Sequence, residues 1–285
     1  YSVDALYAWN AGAFAGTARG IEAGNLAVAN MTGANRILIG IGWAGIALFT
    51  VYRHGASLDP SVKNRSGLWA NAVSVDTDLA LDIVFLMAAT LWAFFVPLFG
   101  GIDALDMAIL VGIYVTYILV VLRGDIEPTE EHVGVPAALQ AQPKKRRFLT
   151  VITLFVFSGL LIFTAVEPFA HGLESLGLRF GIPEFFMIQW IAPLASESPE
   201  LIVTAYLVNK ARSTAAFNAL ISSKLNQWTL LIGTLSVVYS LSLGAYGVLP
   251  FDFKQAAEIW LTAGQSFFAL AILVNFRISV REAVT

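Results

Sequence analysis

Residues 192–200 read APLASESPE, inside the otherwise apolar run FFMIQWIAPLASESPELIVTAYLV (185–208). Glu197 and Glu200 are three positions apart, so a helix would put both carboxylates on nearly one face. Pro193 and Pro199 each disturb that helix and release backbone carbonyls from their usual partners. Such a stretch either lies outside a membrane or is the working part of a membrane protein.

Composition decides between the two. The 285 residues are 57% hydrophobic and 13% charged, with a mean hydropathy of +0.72. A soluble domain carries about 25% charged residues. Apolar runs long enough to cross a hydrocarbon core ~30 Å thick recur within 24–50, 77–98, 104–122, 148–166 and 256–276. The expectation is an all-α polytopic membrane protein with about eight membrane segments: 3–18, 24–50, 70–98, 104–122, 148–168, 184–208, 214–244 and 256–276. Tyr1 stands inside a hydrophobic stretch, as in a chain truncated there.

The chain has no Cys, which excludes disulfides, thiolate nucleophiles and zinc–thiolate sites. His54, His132 and His171 are scattered over expected loops. There is no Walker loop, HExxH or dinucleotide fingerprint, so neither ATP-driven work nor a cofactor is expected. A nucleophile–base constellation is also lacking, so the chain does not read as an enzyme. The expected partners are the lipid bilayer and inorganic cations, with no nucleic acid.

Positive loops stay on the cytoplasmic side. Loops 51–69, 123–147 and 209–213 with the tail carry 12 Lys and Arg, against 3 in 19–23, 99–103, 169–183 and 245–255. This places the 123–147 loop, with its KKRR run (144–147), in the cytoplasm, and the protein in a plasma (inner) membrane. Asp76, Asp78 and Asp82 read as an acidic cap at a helix start or as an entry vestibule. Glu167 and Glu184 read as solvated interface residues.

One pattern occurs twice. GNLAVANMTGANRILIGIG (24–42) and AAFNALISSKLNQWTLLIG (215–233) superpose Asn35 on Asn226 and Gly42 on Gly233. The loops before the two copies fall on opposite sides by the charge count, so the copies are inverted. Inverted repeats with polar, broken helices at mid-membrane are the architecture of many secondary transporters. Small residues also serve close helix packing, but packing alone does not require Asn30, Asn35, Ser222, Ser223 and Asn226 at that depth. Residues 1–122 read as the first repeat, 123–147 as the connecting loop and 148–285 as the second repeat.

SESPELIVTAYLVNKAR followed by ALISSKLNQWTLLIG resembles the second α-repeat of the calcium/cation antiporter superfamily, which includes the sodium/calcium exchangers. GNLAVANMTGANRILIGIG resembles the second helix of that family's first repeat. The resemblance implies the inverted-repeat exchanger fold, with about eight of its usual ten transmembrane helices, and secondary antiport of Na⁺, Ca²⁺ or a similar cation against another cation or H⁺. It also implies that Glu200 binds the transported cation, flanked by the hydroxyls of Ser196 and Ser198. Pro199 would make the helix break that exposes carbonyls such as that of Ala195, and Asn226 and Asn35 would be facing amides. Glu200, Ser196, Asn226 and Asn35 thus form the expected metal-binding set, with Glu197 beside it. Hard cations take such oxygen ligands.

The chain also departs from the family. The first repeat's Pro-Glu is absent from DALYAWNAG: Trp9 or Asn10 stands where the Glu belongs, and Asp4 lies about two turns away. Arg36 and Lys224 are the two basic residues outside the loops, each within two positions of a paired asparagine. They either snorkel to the surface or reach the site as tethered cations, and a charge at the bilayer centre costs about 2.5–3.5 kcal/mol if unpaired. The expectation is that at least one of them pairs with Glu197 or Glu200 in place of a metal. Two carboxylates against one or two such positives would suit one monovalent cation or a proton better than Ca²⁺. A chain that keeps the fold but no longer transports, with a structural or regulatory role, is the alternative.

Overall fold

In a computed structural model of the chain, the description covers residues 2–53, 61–63, 69, 71–124 and 135–285. His54 and His132 lie outside the described residues. Helices α1 (Ser2–Ala13) and α2 (Ala18–Ile37) form a hairpin, and a π-helical turn, Leu38–Ala44, carries α2 into α3 (Gly45–Arg53). Two apolar helices follow, α4 (Ala80–Ala93) and α5 (Ala104–Arg123). Then come the short α6 (Val135–Gln140) and the long α7 (Lys144–Phe180). The opening stretch is split into α8 (Glu184–Phe186), a π turn Met187–Ile191, α9 (Ala192–Ser196) and α10 (Ser198–Asn209). Next, α11 (Ser213–Asn226) passes through a π turn Gln227–Leu231 into α12 (Ile232–Leu243). The chain ends with α13 (Phe253–Leu273) and α14 (Val280–Val284).

Local chemistry accounts for the helix ends. Thr17 accepts the Gly20 N–H and caps α2. Asp103 and Asp106 form a capping box at α5. Gly181, left-handed at φ +67°, stops α7, with the Ile182 N–H reaching back to the Gly177 carbonyl at 2.8 Å.

The packing is that of a membrane protein. Among the described residues, five helical lengths are long and apolar enough to cross a bilayer: Ala18–Arg53, Thr77–Phe99, Ala104–Arg123, Lys144–Phe180 and Phe253–Leu273. The most apolar of them, α7, has none of its best 18 residues buried, whereas the more polar Ala18–Arg53 has 61% buried. Lipid solvates the apolar helices, and helix contacts in a bilayer are made by small and polar residues. Accordingly α1 packs on α2 and α12, and α2 packs on the 187–191 turn, α9 and α13. At Gly33 the two backbones meet: a Cβ there would collide with the Gln189 carbonyl.

Three expectations change. Helix α7 absorbs both the KKRR run, which forms its first turn, and most of the 169–183 segment read as an outer loop. Its stop signals are Gly181 and Pro183; Pro168 lies inside the helix and does not end it. Among the described residues, five strands of two or three residues pair, Val62–Lys63, Ala72–Ser74 and Arg277–Ser279 in one sheet and Gly101–Ile102 with Leu249–Pro250 in the other. Of the three aspartates, Asp76 caps a 3-10 turn, but Asp82 turns inward and accepts from Tyr117 Oη (3.0 Å) and Ser222 Oγ (2.7 Å).

Candidate functional site

The break in the opening stretch falls at Glu197, between α9 and α10. Pro193 and Pro199 occupy the first turns of these helices, where a missing N–H leaves no hydrogen bond unmade. The Ala195 carbonyl, freed by Pro199, accepts from Ser198 Oγ at 2.7 Å, and Ser196 Oγ donates at 3.2 Å to the Pro193 carbonyl, which also accepts the Glu197 N–H at 2.8 Å. Each hydroxyl oxygen keeps lone pairs.

Glu197 is buried, and its Oε2 accepts from Gln227 Nε2 at 2.8 Å. Ser196 Oγ lies 3.5 Å from its other oxygen. Glu200 opens α10 with one carboxylate oxygen buried and without a donor. The Oε1 of Gln227 is likewise buried without a donor. Unmet buried polar atoms are rare in folded proteins. Here the carboxylate oxygen of Glu200 and the amide oxygen of Gln227 both lack a donor, and oxygens in that state suit a hard cation. Gln227 was not singled out from sequence, although a glutamine next to Asn226 in an apolar span was a visible signal. Among the described residues there is no cluster of three or more His, Asp or Glu that could hold a metal.

The expected facing amides do not meet through a hydrogen bond. Asn35 is fully buried: its Nδ2 donates to the Met31 carbonyl (2.9 Å) and its Oδ1 accepts from Lys224 Nζ (2.8 Å). Asn226 is exposed on α11. The tethered-cation expectation fails as stated, since neither Arg36 nor Lys224 comes within salt-bridge distance of Glu197 or Glu200. Arg36 pairs instead with Glu258 and donates to Thr262 Oγ1 at 2.9 Å, because α13 crosses α2 beside it. Lys224 is fully buried, with Nζ on Asn35 and 4.7 Å from the Trp228 ring centroid.

The first-repeat acid also lies elsewhere than expected. Trp9 is 50% exposed and Asn10 half-buried. Asp4 is 1% exposed and accepts from Asn30 Nδ2 at 2.9 Å, and the Asn30 Oδ1 is buried without a donor. Asp4 lies nine residues before the end of α1 at Ala13, as Glu200 lies nine before the end of α10 at Asn209. Counted from the helix ends, Asp4 is the counterpart of Glu200. Sequence alignment through Asn35 and Asn226 hid this, because the turn after α1 is one residue longer than that after α10 and Asn35 sits four residues further into its helix than Asn226 does.

Comparison with known proteins gives one answer. Residues 150–285 match the family described as sodium/calcium exchanger protein. A crystal structure of the H⁺/Ca²⁺ exchanger CAX superposes with a TM-score of 0.88 at 45% identity, covering 100% of this chain and 67% of that one. Native YfkE superposes at 0.60 with 17% identity, over 99% of this chain and 76% of that one. The sodium-calcium exchanger NCX_Mj, soaked with Na⁺ and Sr²⁺, superposes at 0.55 with 16% identity, over 99% and 79%. The last two show the fold alone. The search of curated proteins found no match. A 45%-identical relative along the whole chain, on a matching exchanger fold, establishes that this chain belongs to the sodium/calcium exchanger superfamily, as an integral membrane protein of a family of cation antiporters.

Proposed function

We propose that the protein exchanges a divalent cation of the Ca²⁺ class for protons, at a mid-membrane site built on Glu197 and Glu200. The observation that carries this reading is the pair of buried, donorless oxygens, Glu200 Oε2 and Gln227 Oε1, around the helix break. Ser196 and Ser198 add hydroxyl oxygens, and Asp4 with Asn30 supplies the corresponding groups of the first repeat. Asn226, exposed on α11, is left out of the set, and the Asn35 oxygen is held by Lys224.

Arg36 is neutralised by Glu258. Glu197 and Glu200 stand together at the break, and Lys224 is held by Asn35 rather than by either of them. Two carboxylates can hold one divalent cation or two protons but not both, which is the competition an antiporter needs. The resemblance to the H⁺/Ca²⁺ exchanger CAX points the same way. In this reading 1–122 and 148–285 act as inverted repeats, with 123–147 on the cytoplasmic side of a plasma (inner) membrane.

The test is Ca²⁺ flux into proteoliposomes driven by a pH gradient. Glu200→Gln is expected to reduce the flux at least ~100-fold while the protein stays folded. Undiminished exchange in that variant refutes the site. The Lys224–Asn35 bond, which occupies an amide the family uses, favours a second reading, in which the fold is kept and transport is lost. Silence of the wild type under Ca²⁺, Na⁺, K⁺ and H⁺ gradients supports that reading.

A further inference from the structure

The Arg36–Glu258 pair belongs to no part of the site just proposed, yet both residues lie in segments long and apolar enough to cross a membrane, where an ionisable residue is by default functional. Arg36 is 9% exposed and immediately follows Asn35 on α2. Its guanidinium contacts Glu258 Oε2 and also donates to the Glu258 carbonyl (3.0 Å) and to Thr262 Oγ1 (2.9 Å). The same Glu258 Oε2 accepts from Gln189 Nε2 at 2.9 Å. Gln189 is buried in the π turn that precedes Glu197 by two turns, and its carbonyl lies against Gly33, one turn before Arg36. One carboxylate oxygen on α13 therefore receives donors from both broken elements where their backbones touch.

We propose that Glu258 is a positioning residue of the antiport site, holding α2 and the 187–191 turn in one register. The proposal rests on the site assigned above. Sliding along a crossing made of small residues meets little resistance, because such residues interdigitate shallowly. Two directional bonds to a single oxygen remove that freedom. What they fix is the spacing between Asp4 and Asn30, packed with α2, and Glu197 and Glu200, carried by the other element. Groups that orient metal ligands without touching the metal typically account for about 10- to 100-fold in affinity.

Gln189→Met separates positioning from folding, since it cuts one arm of the clamp and leaves the Arg36–Glu258 pair intact. Ca²⁺ binding to the full chain in detergent is measured by calorimetry, and the KM and kcat of proton-driven Ca²⁺ flux in proteoliposomes. The expected result is a dissociation constant and KM raised about 10-fold, with kcat and thermal midpoint close to wild type. Glu258→Gln, which retains an acceptor oxygen but not the charge, should raise both constants in the same direction. Wild-type affinity in both variants overturns the proposal, as does a fall in thermal midpoint with KM unchanged, which is the signature of a merely structural contact. If Gln189→Met weakens Ca²⁺ binding while Glu200→Gln does not, Glu258 still positions the site and only the assignment of Glu200 falls.

Discussion

The two asparagine-bearing segments, 24–42 and 215–233, look alike in sequence and behave differently in the fold. Each passes through a π turn a few residues or less after its asparagine, and each carries one buried basic side chain. The first segment sends Arg36 to a carboxylate on α13. The second sends Lys224 to the amide of Asn35, on the first segment itself. Arg36 is thus a paired guanidinium, and Lys224 an amine with one amide acceptor and an aromatic face. The difference teaches that a repeated pattern specifies a backbone shape, while the neighbouring helices decide what each polar side chain does.

The glycines test this comparison most severely. Gly33 faces the Gln189 backbone, which cannot yield, whereas Gly42 meets only leucine side chains at 3.6 Å or more. Gly33→Ala is expected to abolish the folded, monodisperse species in detergent size-exclusion chromatography, and Gly42→Ala to leave it intact. Equal tolerance at both positions would mean that the crossing is loose.

A smaller effect separates the two cations. Arg36→Met leaves Glu258 partly buried without its charge partner, and breaking a buried pair costs about 3–5 kcal/mol. Glu258 is 19% exposed at its side chain, so the lower end of that range is expected. Lys224→Met leaves only the Asn35 amide oxygen unmet, about 1–3 kcal/mol, and relieves the burial of a polar head. Its net effect on unfolding free energy should be under about 1 kcal/mol by that offset. Comparable losses in the two variants would place a carboxylate within reach of Lys224 and erase the distinction.

The smallest effect sharpens the comparison at the helix starts. The first segment's helix has a side-chain cap, Thr17, and the second has none at Arg212. Thr17→Ala should cost about 1 kcal/mol in unfolding free energy, and a null result would show that packing alone holds the start of α2.

Much of the fold was legible because its signals are local. Apolar runs give membrane helices wherever water is unavailable to the backbone, and the two prolines mark the break at Glu197 directly. The family resemblance rested on the same stretch. The site was half legible. Glu197, Glu200 and the flanking serines lie in one continuous motif, so their proximity needs no tertiary information. Asp4 was noted but passed over for Asn10, and Gln227 and Glu258 were not singled out, because each matters through a partner between 26 and 222 residues away.

The amino-acid sequence by itself determined that this chain lives in a membrane, that its 184–209 stretch breaks at Glu197, and that Glu197, Glu200 and the flanking serines stand together there. These follow from residue-by-residue transfer energies and backbone donor counts, which need no knowledge of neighbours. Only the tertiary structure decided the pairing of charges: Arg36 with Glu258, Lys224 with Asn35, Asp4 with Asn30. In hydrocarbon, a charged or amide group takes whichever polar partner the helix crossing brings within about 3 Å, and that crossing is set by small residues such as Gly33, whose sequence neighbours do not disclose what they touch.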